Sequence, residues 1–218
     1  MLIPLTRKTL DDLVPLVATG DQYKYCWGKL SDFLRRLSIS VICVMAIVLV
    51  NVFAEEGLGW FEFVLFVAGV IAGTYWLWAP IYLAGKRNRA CRQYQYGGYW
   101  QGEVLDVFVT DTVVGKSETA NKYGELVVRE QREQLFNLEV GDDLGFSTVV
   151  QVLLKSQHRA VRPGDSAELI MLSNRRDLGR INWISDVYIP DCNQWISDYP
   201  YVRRDIFAEV SRKLRYET

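Results

Sequence analysis

The stretch Leu37–Ala54, LSISVICVMAIVLVNVFA, decides the fold, because it runs for 18 residues without a charged side chain. An α-helix of this length extends about 27 Å, close to the ~30 Å hydrocarbon thickness of a bilayer. A second uncharged run, FVLFVAGVIAGTYWLWAPIYLA, covers Phe63–Ala84. Two helices buried in a large soluble core are the alternative, but such helices rarely continue this far without a charge. The runs therefore predict a transmembrane hairpin over residues 37–84, with Pro80 bending the last turn of the second span.

Basic residues flank the predicted hairpin at its outer ends only. The connector 55–62 contains three acidic residues and no Lys or Arg. The flanking basic residues are Lys24, Lys29, Arg35, Arg36, Lys86, Arg87, Arg89 and Arg92. Because Lys and Arg are retained on the cytoplasmic side, we expect an integral membrane protein with both termini cytoplasmic or stromal. Neither run contains Asp, Glu, Lys, Arg or His, which argues against a proton or ion pathway.

Two small residues in the second run, Gly69 and Gly73, are spaced for close packing against another helix. Such a spacing lets two helices approach at a short interaxial distance. The facing helix is either the first span, which we favour, or a helix of another membrane protein or of a second copy.

Residues 1–36 are predicted to form an amphipathic, interfacial segment. Leu10, Leu13, Val14 and Val17 form a short apolar stripe, and the stretch 23–37 mixes aromatic and basic residues as interfacial helices do. The acidic residues of the segment argue against a transit peptide. Contact with lipid is the default interpretation, and recognition of a partner is the alternative. A basic linker over residues 85–96 follows the hairpin.

Residues 97–176 are predicted to form a small antiparallel β-barrel or sandwich of OB or SH3-like size on the cytoplasmic side. Short apolar runs are separated by turn signals such as Pro163-Gly164-Asp165, which is typical of such domains. The predicted strands are Trp100–Thr110, Gly124–Arg129, Glu133–Val140, Ser147–Lys155 and Ala167–Ser173. Acidic residues outnumber basic ones from residue 97 onward, so no nucleic-acid partner is expected.

Residues 177–218 are predicted to form an aromatic loop followed by an amphipathic helix. Val202, Ile206, Val210 and Leu214 recur every four residues, which indicates one apolar helix face. The basic opposite face is either solvated or lies against anionic headgroups or an acidic partner. Aromatic residues of the loop either anchor an interface or fasten the loop to the barrel. The candidate partner-binding residues are Trp183, Tyr188, Trp195, Tyr199, Arg203 and Arg204.

Little in the sequence points to catalysis, and we expect a protein that is not an enzyme. The charges nearly balance, with 25 Lys and Arg against 26 Asp and Glu. His158 is the single histidine and is predicted to be a solvated loop residue. The four cysteines are scattered without a CxxC pair, so no zinc, iron–sulfur or dithiol site is expected. No phosphate-binding glycine loop occurs, and we predict no cofactor, no metal and no catalytic residue.

Two long stretches resemble a family of two-span membrane proteins of cyanobacteria and chloroplasts. They are residues 1–36, MLIPLTRKTLDDLVPLVATGDQYKYCWGKLSDFLRR, and residues 161–205, VRPGDSAELIMLSNRRDLGRINWISDVYIPDCNQWISDYPYVRRD. Some members are labelled as phosphate ABC transporter permeases. The resemblance implies a thylakoid membrane, and the expected function is a non-enzymatic assembly or auxiliary factor of a photosynthetic membrane complex. The alternatives are an oligomeric transporter component and a surface enzyme acting on lipid or quinone.

Overall fold

A computed structural model of the protein describes residues 1–53, 59–120 and 126–217. The chain divides into two compact units. One, here called the β unit, contains residues 1–14 together with the chain from residue 93 onward, and the other, the helical unit, contains residues 15–92. The β unit therefore includes both ends of the described chain.

The β unit is a curled antiparallel sheet that forms a half-barrel. Its strands are β1 (Leu2–Leu5), β2 (Tyr96–Ala120), β3 (Leu126–Gly141), β4 (Ser147–Leu153), β5 (Ser166–Ser173), β6 (Trp183–Ile184), β7 (Val187–Ile189) and β8 (Gln194–Ile196). The main path has the order β4-β3-β2-β5-β7-β8, with β1 paired to β2 and β6 paired to β5. An antiparallel β domain was predicted and is confirmed. Of the predicted barrel or sandwich, the structure shows a curled half-barrel.

Strand β2 changes partners along its length. Its first part pairs with β5, from Tyr96 opposite Ser173 to Glu103 opposite Ser166, and with β1, Leu2 lying opposite Trp100. From Glu103 to Ala120 it pairs with β3. Register shifts at two places in this pairing, between 104 and 106 and between 113 and 115, add twist as β-bulges do. The two separate strands predicted over 124–129 and 133–140 are thus one strand, because the polar residues between them continue the ladder.

The core of the β unit lies inside the curl. Trp100, Phe136, Leu138, Leu169 and Ile189 are fully buried there. The ring nitrogen of Trp100 donates a hydrogen bond of 2.6 Å to Asp142, which satisfies the polar end of this large side chain. A Cβ at Gly102 would overlap the Trp100 ring and the Gly141 carbonyl, so this position needs glycine.

Two helices complete the β unit, α1 (Arg7–Leu13) and α6 (Arg204–Glu217). Leu10, Leu13 and Val14 are buried, and the Arg203 amide donates to the Leu13 carbonyl at 2.8 Å. Three residues of the apolar stripe predicted for the interfacial segment are therefore packed into the β unit, because β1 joins the sheet and carries α1 with it. The fourth, Val17, is 69% exposed and belongs to the helical unit. The predicted C-terminal helix is confirmed.

The helical unit contains α2 (Gly20–Trp27), α3 (Leu30–Phe53), α4 (Gly59–Gly73) and α5 (Tyr75–Arg92). Helix α3 is long and apolar enough to cross a membrane. Helices α4 and α5 meet that criterion only when counted together, and they are bent by 72° at their junction. Large apolar side chains are more than half exposed along α3 and α4, among them Ile42, Met45, Phe53, Phe63 and Phe66. The connector residues Glu55, Glu56, Gly57 and Leu58, and with them part of the predicted acidic loop, lie outside the described residues.

The predicted second span, residues 63–84, is divided between α4 and α5. The break is at Thr74, and Pro80 lies inside α5 without ending it. The Thr74 hydroxyl donates to the Val70 carbonyl at 2.7 Å, a bond to residue i−4 that bends helices. The 72° bend therefore lies at the α4–α5 junction beside Thr74, and not at Pro80, where the sequence predicted one.

Candidate ligand cleft at the seam of the half-barrel

A cleft of about 270 Å³ lies where the two ends of the curled sheet face each other. Strand β4 contributes one wall, and β6, β8 and the segment after β8 contribute the other. The lining residues are Val149, Val150, Gln151, Trp183, Ile184, Ser185, Asp186, Ile196, Ser197, Asp198, Tyr199 and Tyr201. Because β4 and β8 are the terminal strands of the sheet path, the cleft marks the seam that keeps the half-barrel open.

Asp186 is the buried charged residue of this cleft. Its residue surface is 1% exposed, and its carboxylate accepts a hydrogen bond of 3.1 Å from the Tyr201 amide. The other carboxylate oxygen, Oδ2, has no hydrogen-bond partner among the described residues. Burial raises the pKa of Asp186 to about 7, against the opposing effects of the Tyr201 amide and the Arg204 charge. A buried carboxyl with spare acceptor capacity is unusual in a folded protein and points to a ligand or a functional role.

Three aromatic rings stand beside Asp186. The Trp183 and Tyr201 rings lie 4.5 Å apart between centroids at an interplanar angle of 79°. The Tyr199 and Tyr201 rings lie 4.7 Å apart at 70°. Trp183 lies in β6, where it pairs with Leu172 of β5, and Tyr199 is buried. The edge-to-face contacts pack the three rings against one another, as aromatic pairs prefer.

The structure divides the six predicted partner-binding residues between two places. Trp183 and Tyr199 line the cleft. Tyr188 and Trp195 pack against Phe207 of α6, the Trp195 and Phe207 centroids being 5.0 Å apart.

The two arginines of the set lie at the start of α6. Arg204 lies over the Trp195 ring at 5.3 Å, and Arg203 pairs with Asp205 at 2.8 Å. Loop aromatics thus fasten the loop to the domain, while a role of the six residues in partner binding stays a prediction.

A second buried carboxylate, Glu168, lies under α6. It is fully buried, and its Oε1 forms an ion pair of 3.0 Å with Arg215. Arg215 also donates to the Ser211 hydroxyl at 2.9 Å. Burial and the nearby Glu168 charge raise the pKa of Tyr99 above its ordinary value. This cluster holds α6 on the sheet.

Sequence reasoning missed both buried acids as functional candidates. Glu168 stands in the otherwise apolar run AELIMLS, and a single charge inside a buried strand is the signal that identifies it. Asp186 lies between two apolar strands in the same way. His158 was expected to be solvated, but it is 1% exposed and packs on Phe136 with centroids 4.9 Å apart. Burial and the Lys155 charge lower the pKa of His158.

In the helical unit, the two predicted packing glycines face α3. A Cβ at Gly69 would lie 3.9 Å from Ile47, and one at Gly73 would lie 3.4 Å from Val44. The small residues thus allow the close approach of α4 and α3 within one chain. Among residues 1–53, 59–120 and 126–217, no three His, Cys, Asp or Glu side chains are grouped to hold a metal.

Comparison with known proteins gives one family. The model of a family described as "Family of unknown function (DUF8619)" matches residues 3–217. The chain belongs to this family. The DUF8619 match runs from β1 to the last turn of α6 and so includes both units. No curated protein and no solved structure matches the chain.

Proposed function

We propose that this DUF8619 protein is a membrane-anchored, non-enzymatic assembly or auxiliary factor that binds a membrane protein complex through its β unit. The helical unit is the anchor: a hairpin of α3 and the bent α4–α5 pair. Both termini and the β unit, a barrel-like domain of OB or SH3 size, lie on the cytoplasmic or stromal side. The resemblance described above makes photosynthetic complexes of the thylakoid the first candidates.

The observation that carries the proposal is that the chain leaves and re-enters one folded unit. Strand β1 pairs with residues 97–100 of β2, so residues 1–14 and the chain after 93 belong to the same unit. A segment that departs from a folded domain and returns to it crosses a bilayer an even number of times. With α3 as one crossing, this geometry supports α4 and α5 together as the second.

The surface of the helical unit supports the lipid-facing role. Large apolar residues are exposed along α3 and α4. Such a surface favours aggregation in water but is expected for helices that face lipid. The basic residues before and after these helices agree with the same topology.

A ribbon of residues 105–115 of β2 and residues 132–139 of β3, which β4 joins from Leu135 onward, supports protein binding. Phe108, Val109, Val113 and Val114 are exposed on it, Val114 by 57%. Neighbouring residues of a strand point to opposite faces, so both faces of the ribbon are partly apolar. Asp106, Asp111, Glu133 and Glu139 accompany them and disfavour an anionic lipid surface. We therefore assign the ribbon to contact with another protein.

Site-specific photo-crosslinking in intact membranes tests the proposal. A benzophenone amino acid at Val109 or Val114 should yield adducts with a subunit of a membrane complex, and the adduct should migrate with that complex in mild detergent. The matched control is Leu144, which is 83% exposed in the turn at the far end of β3. Equal adducts at Leu144, or none at the ribbon, would contradict binding through the ribbon.

Topology is tested separately. Tags at the two ends of the chain should be digested by protease from the same side of sealed vesicles. Digestion of one tag only would contradict the hairpin, whatever the crosslinking result.

A transport role is the second candidate, and the broken α4–α5 helix favours it. Discontinuous spans frequently line transport paths. An oligomer in detergent together with flux through liposomes would support this role, and a monomer without flux would remove it.

A further inference from the structure

We propose that the outer edge of β4 binds an extended segment of a partner protein, which joins the sheet as one further strand. The segment pairs antiparallel with β4, is apolar at alternate positions and begins with acidic residues. The inference rests on the proposed function, because it names the part of the β unit that a membrane complex contacts and the kind of segment that the complex presents.

Hydrogen bonds at the two ends of the β3–β4 pair show which residues of β4 bond to β3. The Leu154 amide donates to the Gln134 carbonyl at 2.9 Å. At the other end, the Asp142 amide donates to the Phe146 carbonyl at 3.0 Å. Residues that exchange hydrogen bonds alternate along an antiparallel strand, and the register is continuous between these two ends. The even-numbered residues of β4 therefore bond to β3.

The odd-numbered residues of β4 consequently direct their backbone groups away from β3. They include Val149, Gln151 and Leu153. Strand β4 ends the sheet path, and the amides and carbonyls of these three residues have no hydrogen-bond partner within the part of the chain that the structure describes. A row of alternating donors and acceptors is complementary to the backbone of another extended chain.

Strand β4 lacks the features that usually protect a sheet edge. Its seven residues, STVVQVL, include no charged residue and no proline, and its pairing with β3 contains no register shift. Natural sheets protect their edges with charges, prolines, bulges or very short strands. The opposite end of the sheet path agrees with this rule, since β8 has three residues. Strand β4 is thus the end of the path that remains available for pairing.

The seam beside β4 favours a single strand over the edge of a second copy. The cleft of about 270 Å³ adjoins residues 149–151, and Ile184 and Ile196 line its opposite wall. One added strand needs about 4.8 Å of sheet width, whereas a second copy would bring its own β3 and seam to the same place. Side chains of the added strand opposite Val150 point to the core side of the sheet, as Val150 does. These positions of the segment are therefore apolar.

The outer face of β4 continues the ribbon already assigned to protein contact. Val149 and Leu153 are 51% and 47% exposed. The Gln151 side chain donates to the Asn137 side chain at 2.8 Å, and Asn137 lies opposite Phe108 in the ladder. Residues directly opposite one another share a face of the sheet, so the edge and the exposed Phe108 belong to one surface.

Charges at the two ends of β4 set the direction of the segment. Glu139 accepts a hydrogen bond of 3.3 Å from the Ser147 hydroxyl, and the exposed Asp143 precedes β4. Lys155 and Arg159, both exposed, follow its other end. The first residues of an antiparallel segment lie beside this basic end, so acidic residues there and basic residues at the segment's own end are complementary.

The test uses the full-length protein in maltoside detergent and three synthetic peptides of nine residues. Acetyl-EETVTVTKK-amide has the proposed alternation and charge order. Acetyl-KKTVTVTEE-amide reverses the charges, and acetyl-EETVPVTKK-amide removes a central amide that faces β4. Fluorescence anisotropy of the labelled peptides measures affinity. Hydrogen exchange with fragmentation mass spectrometry measures the protection of single β4 amides.

Saturable binding of the first peptide is expected, with slower exchange at Val149 and Gln151 and little change at Val150, which already bonds to β3. Reversal of the charges should weaken binding about threefold or more, and the proline peptide should bind about tenfold more weakly. Val149→Pro removes one outward amide at an edge position that tolerates proline, so it should also weaken binding about tenfold. The matched control Val149→Thr keeps the amide and should keep the affinity.

Four results would overturn the inference. They are no saturable binding of the first peptide at millimolar concentration, equal binding of the proline peptide, equal protection of odd and even residues of β4, and a dimer that Val149→Pro dissociates but the peptide does not. The last result would assign the edge to a second copy. If Val149→Pro does not fold, the proline peptide still decides the question on the wild-type protein. Crosslinking from Val109 and Val114 is measured in membranes without the peptides, so failure of the proposed function is distinguished from failure of this inference.

Discussion

The backbone amide of Trp76 donates a hydrogen bond of 3.3 Å to the hydroxyl of Ser40. Ser40 belongs to α3 and is buried, and Trp76 is the second residue of α5. The first amides of a helix have no partner within it, so Ser40 caps α5 from a neighbouring helix. Backbone groups on both sides of the break at Thr74 therefore have partners. On the α4 side, the Thr74 hydroxyl and the Trp78 ring nitrogen donate to carbonyls at the end of the helix.

Removing the Ser40 hydroxyl should destabilise the broken helix. We expect Ser40→Ala to lower the free energy of unfolding by about 0.5–2 kcal/mol, the usual value of a helix N-cap. Urea unfolding of the detergent-solubilised protein, followed by near-ultraviolet circular dichroism, measures the change. Ser38→Ala is the matched control, because Ser38 lies on the same helix and is exposed. Equal losses in the two variants would show that Ser40 does not act as a cap.

Enlarging Gly73 should separate α4 from α3. A Cβ at Gly73 would already lie 3.4 Å from Val44, so the larger side chain of Gly73→Leu should cost about 1–3 kcal/mol through overpacking. Gly85→Leu is the control, since nothing lies within 4 Å of a Cβ at Gly85. Disulfide trapping between cysteines placed at 44 and 73 in otherwise cysteine-free protein reports the same contact. Trapping between chains but not within a chain would favour the dimer seam instead.

The Asp186 carboxyl should make stability depend on pH. Its folded pKa is about 7, against an ordinary value of 3.8, so between these values the folded state binds more protons than the unfolded state. Stability therefore falls as pH rises through this window. Arg204, the charged group on α6 that acts on Asp186, reduces the effect without cancelling it.

Asp186→Asn should remove this dependence while keeping an acceptor for the Tyr201 amide. At pH 8 the variant should exceed the wild type in stability by up to about 4 kcal/mol, and at pH 4 the two should be nearly equal. Thermal unfolding across this pH range measures the difference, with Asp143→Asn as the control. A pH profile identical to that of the wild type would show that Asp186 titrates normally.

Arg215 should hold α6 to the sheet through Glu168. Arg215→Met leaves the fully buried Glu168 carboxylate without its ion-pair partner. Loss of one partner of a buried pair is strongly destabilising; since the Arg215 side chain is 42% exposed, we expect roughly 1–3 kcal/mol. Arg212→Met, on the exposed part of α6, is the control. Combining Arg215→Met with Glu168→Gln should recover part of the loss, and a double variant as unstable as the sum would contradict the pairing.

Local patterns predicted much of the fold. The uncharged runs located α3 and α4, and turn signals located most strands. The spacing of Ile206 and Val210 located α6. These features can be recognised from hydrophobic periodicity and turn residues, and both are present within a short segment of the sequence.

Contacts between distant segments were the part that local patterns could not supply. The pairing of Leu2 with Trp100 joins residues far apart in sequence. Nothing in the four residues of β1 indicates which strand they pair with. The helix breaks at Thr74, whereas the more conspicuous Pro80 lies inside α5 without ending it.

The cleft illustrates the same limit. Trp183 and Tyr199 were candidates because their loop is rich in aromatic residues, but nothing in the sequence distinguished Asp186 from an ordinary loop acid. Only the curl of the sheet, which brings β4 opposite β6 and β8, surrounds it with apolar groups and changes its chemistry.

The pairing of β1 with β2 also sets an order on biosynthesis. Strand β1 leaves the ribosome before the helical unit, but its place beside Gly97–Trp100 exists only after the whole helical unit has been made. Domains usually fold as continuous stretches while the chain emerges. Here β1 must wait, so the sheet is completed only after the intervening helices have been synthesised. A nascent chain without this pairing keeps an open edge on β2, and an open strand edge is a template for pairing with another chain.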